Sequence, residues 1–340
     1  MQKTAIAASI ATDHLMTFRG RFADSLIAEQ LDRISVSFLA EELHIRRGGV
    51  GGNIAFGMGS LGQHPILVAA AGQDFADYRS WLERHGVDCE SVRISDSLHT
   101  ARFVCTTDDD LAQMATFYAG AMAEAREIEL QPVAERVGGL DLVLIGADAP
   151  EAMRRHAAEC RERGFRFIAD PSQQLAYGDG ELIRSLVEGA EYLLTNEYES
   201  HLTEQKTGWS AADIAALVPV RVITRGKDGA TIHVRGEEPV QVSAALVENP
   251  ADPTGVGDAF RAGFITGLST GLGHERSAQI GSVLAAFCLE SVGTQEYRLD
   301  RGAFLQRIAV TYGDEAAAEI DPHLVIHRSH DGSTALPVGP

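Results

Sequence analysis

In the stretch "NPADPTGVGDAFRAGF", residues 249–264, two glycines and an aspartate stand where a long amphipathic helix begins. A glycine inside a helix costs roughly 1 kcal/mol relative to alanine, so the bare backbone at Gly255 and Gly257 must serve another purpose. Exposed N–H groups of Gly255, Val256 and Gly257 at the positive end of a helix dipole make an anion site. Asp258 follows directly, placed to accept a proton from a group that attacks the anion. An aspartate in a first helical turn is also an ordinary stabilising feature, so this stretch alone does not decide between the two.

A second glycine-rich turn, "RRGGVGGN", carries Gly48, Gly49, Gly51 and Gly52 and ends in Asn53. Four glycines in five residues let backbone come close to a ligand, and the Asn53 amide offers both a donor and an acceptor. The turn fits neither G-x-G-x-x-G after a strand, with an acid about twenty residues on, nor G-x-x-x-x-G-K-[ST]. A dinucleotide fold and a P-loop are therefore not indicated.

The elements that must position these groups follow from periodicity. Apolar runs such as "PILVAAAG", "DLVLIGA", "FRFIADPS", "EYLLTN" and "VRVITRG" alternate with helical segments. Strands that are apolar throughout indicate a mostly parallel sheet with helices on both faces, in which ligands gather beyond the C-terminal strand ends. "ADPS", "TNEYE" and "TRGKDG" each follow such a strand and should line one rim. Two segments, about 14–47 and 99–120, break this rhythm with alternating polar and apolar residues, as expected of half-exposed strands in a small sheet over the rim. Residues 1–325 read as one domain. Residues 326–340 are polar and turn-rich and read as a disordered tail.

Composition narrows the partners. With 48 acidic and 29 basic residues the formal net charge is −19, which argues against nucleic acid or an anionic membrane as the main partner. No apolar run is long enough to span a bilayer, and the N-terminal stretch lacks the basic start of a secretion signal, so a cytoplasmic location is expected. Cys89, Cys105, Cys160 and Cys288 are scattered without zinc-like spacing and are read as reduced, buried hydrophobes.

The ordered series "GGVGGN", "NEYE", "TRGKDG" and "DPTGVGDAFRAGF" resembles the ribokinase, or PfkB, family of sugar and nucleoside kinases, over about residues 5–320. Pro253 and Val256 stand at two variable places of a signature similar to D-T-x-G-A-G-D. Within that family "SIATDHLMTFRGRF", "SFLAEELHIRRGGVGGNIAFGMG" and "DPSQQLA" look most like bacterial adenosine kinases. The resemblance implies a ribokinase-like α/β fold with a small β-sheet lid. It also implies transfer of the γ-phosphoryl group of ATP to the 5′-hydroxyl of adenosine. It places Ser9, Asp13, Ser37, Gly48, Gly49, Asn53 and Gln173 at the nucleoside, with Phe103 and Phe117 stacking on adenine. Asn196, Thr224, Gly226 and Gly229 would line the ATP site, and Glu199 would hold the water shell of Mg²⁺. A monovalent cation is a further family cofactor, and the lid strand edges could pair two copies. The alternatives are a sugar kinase of the same family, acting on ribose or fructose, and a non-catalytic nucleoside-binding regulator.

Overall fold

The computed structural model describes residues 2–25 and 35–326. Among them fourteen strands run in chain order: β1 (Thr4–Ala7), β2 (Ala11–Thr17), β3 (Glu42–Gly48), β4 (Ile66–Val68), β5 (Ala70–Ala71), β6 (Arg93–Ile94), β7 (Ala101–Thr107), β8 (Gln113–Tyr118), β9 (Leu142–Ile145), β10 (Phe167–Ala169), β11 (Tyr192–Asn196), β12 (Val220–Thr224), β13 (Ala230–Val234) and β14 (Val240–Val242). Eight form the central sheet in the order β14-β13-β12-β11-β10-β9-β1-β4. Pairing is parallel from β4 to β12, and β13 and β14 close one edge antiparallel.

The continuous apolar strands are explained by a core on each face. Ala5 and Ala7 of β1 and Val143 and Ile145 of β9 pack in one cluster, while Ile6, Leu142 and Leu144 pack in the other. Successive side chains point to opposite faces, so a strand covered on both sides has no solvent-facing position to make polar.

Glycines bring the helices on one face unusually close. A Cβ on Gly263 of the Val256–Ser269 helix would lie 2.6 Å from Gly281 Cα, and one on Gly57 of the Val50–Ser60 helix would lie 2.6 Å from Ala262 Cβ. The helix that starts at the first glycine turn thus packs directly on the helix that starts at the second.

The small sheet has the order β3-β2-β7-β8. It begins at Ala11, earlier than the alternation from residue 14 suggests, because β2 pairs along its whole length with β3 and β7. Part of the expected 14–47 segment, residues 26–34, lies outside the described residues, as do residues 327–340 of the expected tail. The tail does not start at 326: Ile326 is packed in the core. All four cysteines are free and buried, as expected. Among the described residues no helix is long and apolar enough to cross a membrane.

Candidate active site

The C-terminal strand ends and the small sheet enclose a cleft of about 330 Å³. Its floor is the start of the Val256–Ser269 helix. Gly255 is the N-cap, in the left-handed conformation at φ 77°, so it precedes the helix and does not weaken its interior. Among the described residues none accepts from the N–H of Gly255, Gly257 or Asp258; the N–H of Val256 reaches the Pro253 carbonyl at 3.4 Å. Three free donors at a helix N-terminus are what an anion site requires. A Cβ on Gly257 would also lie 2.8 Å from Arg261 Nη1, so this glycine makes room for a buried cation as well.

Arg261, which the sequence motifs did not single out, is the electrostatic centre of this floor. It is buried, and its Nε lies 2.5 Å from Asp170 Oδ2 and its Nη2 3.7 Å from Glu199 Oε2. Burial alone would lower its pKa, but the Asp170, Glu199 and Asp258 carboxylates outweigh that and raise it. Asp170, fully buried after β10, is pushed up to about 6 by desolvation, against the pull of Arg261. Desolvation likewise raises Asp258, opposed by Arg261 and by a hydrogen bond from Asn53. That bond, Asn53 Nδ2 to Asp258 Oδ2 at 2.8 Å, joins the two glycine-led helices at the cleft.

The other expected residues divide into three groups. Asp13, Gly49, Gln173, Asn196 and Glu199 line the cleft together with Gly255, Gly257, Asp258 and Asn53. Glu199 is also bound into the local backbone. Its carboxylate accepts from the Asn196 N–H, and the Asn196 side chain accepts from the Glu199 N–H, both at 2.7 Å. This capping box starts the Glu197–Thr207 helix, so Glu199 serves the fold as well as the cleft. The Asp13 carboxylate has no hydrogen-bond partner among the described residues. Burial pushes its carboxyl up to about 6, against the pull of Arg46. Gly48 leaves that carboxylate its space, since a Cβ there would lie 3.0 Å from Asp13 Oδ2.

A second group lies outside the cleft lining, near strands that carry lining residues. Register pairs Arg46 with Asp13, Asp13 with Phe103 and Phe103 with Phe117, so all four share one face of the small sheet. Phe103 is half-buried and Phe117 exposed. Thr224 ends β12 opposite Asn196, and Gly226 and Gly229 form the positive-φ turn into β13.

The third group does not reach the cleft lining. Ser37 is exposed on the coil before β3. Ser9 is buried, and its carbonyl accepts from the N–H groups of Gly51 and Gly52. This corrects the reading of the "GGVGG" turn. A Cβ on Gly49 would lie 2.5 Å from Ala11 N, one on Gly51 would strike the Ala8 carbonyl, and one on Gly52 the Tyr78 hydroxyl. The glycines let the turn approach the chain itself, and through that approach Asn53 is brought to Asp258.

Two further cleft residues were not singled out individually, although Ser172 lies in the "ADPS" run expected at the rim. Ser172 sits at φ 44°, a strained position for a residue with a side chain. Thr294 packs beneath Gly255 and donates to the Arg47 carbonyl at 2.8 Å, linking the small sheet to the helix start.

Comparison with known proteins agrees with this geometry. The ligand-free nucleoside kinase of Burkholderia thailandensis matches with a TM-score of 0.81 at 34% identity, over 90% of this chain and 99% of that one. Its complex with ADP-inosine matches at 0.77 and 34%, over 91% and 96%. A nucleoside kinase of Methanothermobacter thermautotrophicus is 29% identical over 272 residues, 79% of this chain and 86% of its own. The model of the pfkB family carbohydrate kinases matches residues 11–300. The fold is thus the ribokinase-like one, and the chain belongs to the PfkB family, as an ATP-dependent kinase of a nucleoside or sugar.

Proposed function

We propose that the chain is an adenosine kinase, transferring the γ-phosphoryl group of ATP to the 5′-hydroxyl of adenosine in purine salvage. The observation that carries this reading is the row Asp13–Phe103–Phe117 on one face of the small sheet. It offers a carboxylate for two ribose hydroxyls beside flat apolar surface for a purine. A ribose or fructose kinase would have no use for the two rings. That the similar Burkholderia kinase has been solved with inosine supports a purine nucleoside as the acceptor.

Phosphoryl transfer consists mostly of positioning and charge neutralisation. The N–H groups of Gly255 and Gly257 would hold the transferred group, and Asp258 would take the proton of the attacking hydroxyl. Asn53, Gly49 and Gln173 would border the nucleoside, with Ser9, Ser37 and Gly48 around it. Asn196, Thr224, Gly226 and Gly229 would face ATP. Mg²⁺ would enter with the nucleotide and neutralise its phosphates, since no group of three or more His, Cys, Asp or Glu among the described residues forms an ion cage. Glu199, whose Oε1 neither the capping box nor Arg261 engages, is the acid that would meet its water shell.

The test is ADP release with MgATP against adenosine, inosine, guanosine, ribose and fructose. Adenosine should give the highest kcat/KM. Faster turnover of inosine or guanosine would remove the adenosine specificity, and faster turnover of ribose or fructose would make the protein a sugar kinase.

The small sheet's opposite face turns Leu43, Ile45, Met114 and Tyr118 to solvent. We read it, with the adjoining strand edges, as the contact between two copies, with the sheet acting as a lid over the nucleoside. Sedimentation should give a dimer that Ile45→Lys dissociates; a wild-type monomer at micromolar concentration would end that reading.

A further inference from the structure

Behind the cleft, five side chains from four segments form a continuous hydrogen-bonded chain. Trp81 Nε1 donates to Gln295 Oε1 at 3.2 Å, and Gln295 Nε2 donates to Asn53 Oδ1 at 2.9 Å and to the Tyr78 hydroxyl at 2.5 Å. Asn53 Nδ2 then donates to Asp258 Oδ2, and the Tyr78 hydroxyl donates to the Gly48 carbonyl at 2.9 Å. Asn53, Tyr78 and Gln295 are buried, Gln295 to 1% exposure.

The direction of this chain is fixed at both ends by groups that have no choice. An indole N–H can only donate, and a backbone carbonyl can only accept. Trp81 therefore holds the oxygen of the Gln295 amide, which turns its nitrogen toward Asn53 and Tyr78. Gly48 takes the Tyr78 proton, so the phenol oxygen must accept from that same nitrogen. Burial raises the Tyr78 pKa and keeps the phenol protonated for this role. Asn53 must then present its oxygen to Gln295 and its nitrogen to Asp258. The missing side chain of Gly52 is what admits the Tyr78 hydroxyl.

We infer that Gln295, oriented by Trp81 and Tyr78, is a positioning residue for phosphoryl transfer: it fixes the Asn53 amide so that its N–H holds Asp258 Oδ2, leaving Oδ1 to accept the proton of the acceptor hydroxyl. This rests on the reading of Asp258 as the base. A reversed Asn53 amide would set an oxygen against the carboxylate and push it out of line, and misplacements of that kind cost up to about 10²-fold in rate.

The experiment is a double-mutant cycle of Gln295→Glu with Asp258→Asn, reading kcat and both KM values, with hydrogen exchange of the Asn53 side-chain amide by NMR as a readout independent of turnover. A glutamate at 295 accepts from Trp81 but cannot donate to Asn53, so the Asn53 amide reverses and its protons leave the base. Asp258→Asn should lower kcat by at least about 10²-fold, the range of a positioned general base. Gln295→Glu should lower kcat about tenfold or more, with both KM values within about threefold and altered protection of the Asn53 amide. In the Asp258→Asn background it should change kcat less than about twofold, because its effect passes through the base.

Additive effects in the cycle, or wild-type turnover in Gln295→Glu, would overturn the inference while leaving Asp258 as the base. If Asp258→Asn keeps more than about a tenth of the turnover, the base assignment fails, and this inference with it. Should the buried glutamate unfold the chain, Gln295→Met, which removes the orienting amide without adding charge, is expected to give the same kcat loss and the same absence of effect beside Asp258→Asn.

Discussion

The end of the cleft proposed to hold phosphate and the end proposed to hold the nucleoside are built by opposite means. At the proposed phosphate end, the helix start packs on the Thr294 and Arg261 side chains with no room to spare, and that buried arginine lies among Asp170, Glu199 and Asp258. At the proposed nucleoside end, one carboxylate without a hydrogen-bond partner among the described residues and two aromatic rings sit on a small sheet whose outer rows are open to solvent. The difference matches what each end must do. A charge that develops during transfer is best met by dipoles fixed beforehand, which do not reorganise during reaction. On the proposed function a nucleoside must enter and leave, and the groups assigned to it sit on a small sheet whose other face is partly open to solvent.

Matched glycine substitutions can break this division. A Cβ at Gly257 would lie 2.8 Å from Arg261 Nη1, and Arg261, pinned by Asp170, has little freedom to retreat. Gly257→Ala should therefore lower kcat by about 10²-fold, comparable to loss of one anion-hole donor, while the KM for adenosine moves little. A Cβ at Gly48 would lie 3.0 Å from Asp13 Oδ2, a tighter fit than most Cβ contacts but against the end of a side chain that can shift. Gly48→Ala should raise the KM for adenosine several-fold, about 1 kcal/mol of lost binding, and leave kcat within about twofold. Steady-state kinetics with each substrate varied checks both. Two variants that alter the same parameter would show that the ends are not separate.

The two ends were also unequally legible in the sequence. Central strands could be read because both of their faces are buried, which leaves a continuous apolar run. Gly255, Gly257 and Asp258 stand out because glycine within a helix conflicts with propensity, but Gly255 is the N-cap and of the two glycines only Gly257 stands inside the helix. The same logic misassigned Gly51 and Gly52, where close approach is needed but the approaching atoms belong to Ser9, Ala8 and Tyr78. Sequence shows that backbone must be bare; it does not show what comes near. Arg261 did leave a trace, being the only charged residue between Ala259 and Gly267 on a helix buried over that span, and a lone charge there requires buried partners. Gln295 left none, because its partners Asn53 and Tyr78 lie more than two hundred residues away in the chain. Ser37, placed at the nucleoside by resemblance, is exposed on coil outside the cleft lining.

A further expected effect is the pH dependence of nucleoside binding, and it separates the ends by their titration. Burial pushes the Asp13 carboxyl up to about 6, so it loses its charge well above the usual carboxylate range. Only the ionised form accepts from both ribose hydroxyls, so the ligand binds the deprotonated state more tightly. By linkage, affinity is then fully present above the pKa and falls as pH drops through it. The KM for adenosine should be flat from pH 8 to 7 and rise as pH falls through about 6, approaching tenfold per unit below it if protonated Asp13 does not bind. In Asp13→Asn the KM should be high throughout and lose this rise. Asp170 is raised to about 6 as well, but it lies at the phosphate end paired with Arg261, so its protonation should appear in kcat. If Asp13→Asn keeps the acid rise in KM, the titrating group belongs to the phosphate end, and the nucleoside end does not bind through its free carboxylate.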